Sequence, residues 1–115
     1  MLLQTGDKLL IAHRHLFEKD EARFFVGEVV GYEAGLVKVN GHSYVRDRMS
    51  GQTIGKSDER TKIFSLSSGT LLVYQLPDAV ILDELRFETA GAHLSVTDGK
   101  EFNMNLTEHA HDGRL

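Results

Sequence analysis

The sequence predicts an all-β fold, a small and strongly bent barrel followed by a C-terminal antiparallel meander. Three observations lead there. Apolar residues alternate with polar ones in short segments, the period of a half-buried strand. Those segments are rich in Val, Ile, Phe and Tyr, which suit a pleated surface. Turn pairs such as Asn40-Gly41 and Asp98-Gly99 separate them. The chain has 115 residues, 11 glycines and one proline, a size that fits one domain over 1–115. Its parts are a barrel over 8–76, a meander over 79–107 packed on it, and a tail over 108–115.

From residue 8 to 17, Leu9, Ile11, His13, His15 and Phe17 share one face of an extended segment, and Leu10, Ala12, Arg14 and Leu16 share the other. A charged turn, Glu18-Lys19-Asp20-Glu21, follows and leaves room for only a short helix at 17–22. The segment 23–32 carries Phe24, Phe25, Val26, Val29, Val30 and Tyr32, with Gly27 and Gly31 placed where a strand bends or bulges. Glu33-Ala34-Gly35 forms a tight turn into 36–39. Asn40-Gly41 supplies two residues comfortable at positive φ, so the sequence predicts an interruption before 42–46. Between 47 and 60 the alternation dissolves into a loop or loose hairpin with Ile54 as its one aliphatic residue.

A strand at 61–66 and the turn Ser67-Ser68-Gly69 lead to 70–76, which is apolar on both faces: Leu71 and Val73 on one, Leu72, Tyr74 and Leu76 on the other. Such a strand must be covered twice, by the chain's own tail or by a second subunit. After Pro77-Asp78, the pairs Leu85/Phe87 and Leu94/Val96 and the set Phe102/Met104/Leu106 alternate in three short strands of a meander with one apolar side.

Seventeen acids against thirteen Lys and Arg give a net charge of −4, which argues against nonspecific binding to nucleic acid over the whole surface. The charge is uneven. Residues 78–115 hold eight acids and three bases, whereas 1–77 are net +1. Zero cysteine excludes disulfides, thiolate metal sites and a Cys nucleophile. No charged leader and no apolar run of membrane-spanning length occurs, so a cytoplasmic protein without a membrane partner is the expectation.

Two constellations could carry chemistry. His13-Arg14-His15 is a His-x-His that aims two imidazoles to one side of a strand, making His13 and His15 candidate metal ligands with Glu18 or Asp20 near them. On that reading a divalent metal is the cofactor; otherwise the sequence implies none. His109 and His111 repeat the spacing in the tail, while His42 and His93 sit beside turns. The second constellation is basic. Arg46, Arg48, Lys56, Arg60 and Lys62 surround Tyr44 and outnumber the local acids, a mixture that suits single-stranded RNA. No catalytic set stands out: Glu28, Glu33 and Asp83-Glu84 are not brought together by spacing, and neither a Gly-x-Ser-x-Gly elbow nor a phosphate-cradling glycine pattern occurs.

Over 8–76 the chain resembles the Sm-like (SH3-like) small β-barrels. Phe25, Gly27, Val29, Tyr32 and Glu33 fall in step with that family's first motif, and Gly69 and Leu72 with the glycine and following aliphatic of its second. The family's Met-Asn pair falls on Leu36 and Val37, and Ser68 stands where the family has Arg, so the positions of its nucleotide pocket are not kept. The resemblance implies a homo-oligomer built by pairing of the last two barrel strands. The combined expectation is a non-enzymatic, self-associating binding module with RNA as a candidate partner, and the alternative is a metal-binding barrel or metal-dependent enzyme using His13 and His15.

Overall fold

The computed structural model describes residues 3–14, 22–47, 49–90 and 93–106. Their regular structure is β, apart from one 3-10 turn at Leu82–Glu84. Six strands form the first sheet: β1 (Lys8–His13), β2 (Arg23–Glu33), β3 (Leu36–Arg46), β4 (Thr53–Gly55), β5 (Arg60–Ser65) and β6 (Leu71–Leu76). Their order is β4-β3-β2-β1-β6, with β5 also on β3. A second sheet of β7 (Arg86–Ala90), β8 (His93–Thr97) and β9 (Asn103–Asn105) follows in the order β7-β8-β9. Every pairing is antiparallel.

The long strands are shaped by glycine. Gly27 of β2 lies directly opposite Gly41 of β3. A Cβ on Gly41 would run into the Val26 carbonyl, and one on Gly27 into that of Asn40, so the two backbones approach more closely than any side chain permits. This corrects the interruption expected at Asn40-Gly41. Gly41 serves a close approach within one continuous eleven-residue β3, not a turn. A register shift between Val29 and Gly31 bends β2 again and leaves Val30 exposed. The hairpin itself turns through Ala34 and Gly35, both at positive φ, as a two-residue loop whose twist matches the strands.

Phe64 of β5 and Val73 of β6 stand at opposite ends of the strand order, yet both pack on the core of Leu9, Ile11, Phe25, Val29, Val37 and Val39. The sheet therefore curls around that core. It does not close: among the described residues β6 pairs with β1 alone and β5 with β3 alone, so the expected barrel is an open one. The turn after β5 sends the chain across to β1 instead of back along β5.

The other face of the sheet is covered by the meander. Leu10, Ala12, Phe24, Val26 and Leu76 form a second core with Val80, Leu85, Leu94 and Val96. Phe87 packs on Phe24 and Tyr44 at ring-centroid distances of 5.0 and 4.8 Å. The Lys8 ammonium donates to the carbonyls of Asp78 (2.7 Å) and Val80 (2.5 Å), fastening the turn that starts the meander. Asp98-Gly99 opens a five-residue loop over 98–102 and not a two-residue hairpin. The Asp98 carboxylate accepts the backbone N–H groups of Lys100 and Phe102, and so holds that longer loop.

Both sides of β6 are apolar, as read from the sequence, and each side belongs to a different core. The strand sandwiched completely, however, is β1, whose Leu9, Leu10, Ile11 and Ala12 are all buried. Leu71 to Tyr74 of β6 keep partial exposure, because that strand forms the edge. Residues 15–21, which include His15 and most of the segment left open to a short helix, and the tail from 107 lie outside the described residues.

Candidate functional site

The register of four strands builds one wall. His13 pairs with Arg23, Arg23 with Val45, and Val45 with Ile54, so residues far apart in sequence form a row across β1, β2, β3 and β4. One step deeper, Phe25 lies opposite Ser43. Lys62, which pairs with Val39 on the same side of β3 as β4, reaches over this row. The result is an open groove of about 700 Å³ lined by these side chains together with Phe24, Tyr44, Asp47, Lys56 and Arg60.

Four cationic groups, Arg23, Lys56, Arg60 and Lys62, face this groove against one carboxylate, Asp47. Phe25, Val45 and Ile54 give it an apolar component. The Lys62 ammonium sits 5.1 Å from the centroid of Phe25 and donates to Ser43 Oγ at 3.2 Å, a cation–π contact and a hydrogen bond that hold one charge in place. Asp47 is itself engaged: it accepts Met49 N–H at 3.1 Å and the Ser50 hydroxyl at 2.9 Å, bonds that hold its carboxyl below the usual range. Arg60 meets Asp58 at 3.3 Å in an exposed pair that contributes little.

Of the six residues read as a basic binding set, Tyr44, Lys56, Arg60 and Lys62 line the groove. Arg46 does not. Its Nε donates to the Gly51 carbonyl at 3.2 Å and clamps the β3–β4 turn, which Thr89 of the meander also holds through the same carbonyl. Arg48 lies outside the described residues. Tyr44 is half-buried with its ring against Phe87, and burial followed by the charge of Asp83 raises its hydroxyl pKa. A Cβ on Gly55 would come within 2.7 Å of that ring, so the glycine is what lets Tyr44 lie on β4. Phe24 and Phe25 are thus committed to packing, and Tyr44, held against Phe87, is only partly exposed. Arg23, Ser43 and Phe25 are not among the binding candidates that the sequence offers, because only strand pairing brings them to the groove.

His13 belongs to the same row. Desolvation, then Lys62 and Arg23, lower its pKa below 6.5. Cations beside an imidazole oppose a metal ion for the same electrostatic reason that they oppose its proton. Among the described residues no group of three or more His or carboxylate side chains is placed to hold a metal. His15, His109 and His111 lie outside those residues.

A second groove, of about 490 Å³, opens on the meander side and is lined by Lys8, Glu28, Val30, Asn40, His42, Tyr44, Glu59, Ile81 and Asp83 among others. It gathers Glu28, Glu59 and Asp83, which are far apart in sequence. His42 lies within β3 and not beside a turn. Among the described residues no helix is long and apolar enough to cross a membrane. Comparison of the chain with protein-family models, with curated proteins and with solved structures finds no match.

Proposed function

We propose that this protein is a non-enzymatic β module that associates with copies of itself and binds single-stranded RNA through its phosphates, in the groove between His13, Arg23 and Lys62. The observation that carries this reading is the convergence of four cations from β2, β5 and the β4–β5 loop on one groove of a chain whose net charge is negative. A phosphodiester chain meets such a groove by counterion release, whatever the bases. With the Tyr44 ring occupied by packing, stacking contributes little, and binding is expected to be nearly indifferent to sequence. The succession of a first strand, a strongly bent second strand, its hairpin partner and a last strand returning to β1 supports the Sm-like reading of 8–76.

The test is fluorescence anisotropy with labelled oligouridylate and oligoadenylate of about 12 nucleotides. Both should bind within a few-fold of each other and weaken as salt rises from about 50 to 300 mM, with a log–log slope of roughly −2 to −3 for four neutralised phosphates. Absence of binding at low salt, or binding insensitive to salt, overturns the reading.

A further inference from the structure

We infer that β6 pairs through its open edge with β6 of a second copy, antiparallel about a two-fold axis at Val73, so that one sheet runs through both molecules. This rests on the self-association proposed above and names the surface that performs it.

The hydrogen-bonding parity of β6 is fixed by its partner. Arg14 N–H donates to the Thr70 carbonyl at 2.8 Å. Alternation along an antiparallel pair then directs the backbone groups of Leu72, Tyr74 and Leu76 toward β1, and those of Leu71, Val73 and Gln75 away from it. Among the described residues no strand meets those outward groups.

Edges of this kind are normally blunted by charge, proline or a bulge. The opposite edge of the sheet is guarded so. On β5, Leu66 N–H donates to Gly35, which leaves Thr61, Ile63 and Ser65 facing outward, interleaved with Arg60, Lys62 and the inward reach of the Lys62 ammonium. Two such edges would bring like charges together. Leu71–Leu76 has neither a charged residue nor a proline, and Leu71 to Tyr74 are all partly exposed. A second β6 matches it in length, polarity and lack of charge, and covers the remaining apolar flanks of both faces. Centring on Val73 pairs every outward residue: Val73 with its symmetry mate and Leu71 with the partner's Gln75.

Light scattering on the eluting protein at tens of micromolar tests this, with Gln75→Pro removing one outward N–H at a position tolerant of edge proline and Gln75→Lys placing charge on the edge. The expected mass is twice that of one chain. Gln75→Pro should reduce it to one chain with the β circular dichroism signal retained. Gln75→Lys, which keeps every backbone bond, should raise the dimer dissociation constant at least tenfold. Ile63→Pro, on the other edge, should leave the dimer intact. A wild-type monomer at every concentration overturns both the self-association and this pairing. An oligomer untouched by either Gln75 variant, or lost only in Ile63→Pro, leaves self-association standing and overturns the β6 pairing.

Discussion

Lys62 holds its ammonium 5.1 Å from the ring centroid of Phe25, a residue only 1 % exposed, and so fixes a mobile charge to the wall of the basic groove by way of the core. Replacing it with methionine keeps the aliphatic stem and removes the charge. Lys62→Met should weaken RNA binding and make the log–log salt slope less negative by about 0.7, one phosphate contact. The stability cost should stay near 0.5–1 kcal/mol, the size of a partly exposed cation–π contact. An unchanged slope in anisotropy titrations removes Lys62 from the binding surface.

His13 provides a pH signature of folding. Its pKa in the folded chain lies below 6.5 because desolvation and then Lys62 and Arg23 disfavour the imidazolium, so the unfolded chain binds the proton more readily. Stability from this group is constant above about pH 6.5 and is lost as pH falls from there through the lower folded value. Urea midpoints measured at about pH 7.5 and pH 5 should differ less in His13→Gln than in the wild type. An equal acid loss in both proteins places the effect on other groups.

Ala34 carries φ +48° in the β2–β3 turn, where a side chain is strained and glycine or asparagine is at ease. Ala34→Gly should stabilise the protein by about 0.5–1 kcal/mol, raising the melting temperature by several degrees. A lower melting temperature would show that the turn tolerates alanine at no cost.

Leu94 is 5 % exposed in the core between the meander and the first sheet. Leu94→Ala should cost about 2–5 kcal/mol, and thermal unfolding should remain one transition followed equally by far-ultraviolet circular dichroism and tyrosine fluorescence. Two separated transitions would mean that the meander folds independently of the sheet.

The sequence made some of this legible and hid the rest for physical reasons. Alternation located the meander strands, since Leu94 and Val96 point one way and Ser95 the other, and the two-sided apolarity of 70–76 followed from the same count. Asn40-Gly41 misled because one residue pair serves two purposes. Turn chemistry and close backbone approach select the same glycine, and only the opposing Gly27 tells them apart. The basic stretch 46–62 showed Lys56, Arg60 and Lys62 as a group, yet Arg23 joins them only through its pairing with Val45. Arg46 looked equivalent to its neighbours until its bond to Gly51 placed it in the turn. His13 followed a metal-ligand spacing, but the charge around it comes from β2 and β5, which no local pattern reveals.

Backbone amide chemical shifts, followed while oligouridylate is added to the ¹⁵N-labelled protein, test the central claim most directly. The largest changes should fall on Arg23, Ser43, Lys56, Arg60 and Lys62, and should vanish in a variant with Arg23 and Lys62 both neutralised. Changes confined to the meander or to the second groove around Glu28 and Asp83, or no changes at all, contradict it.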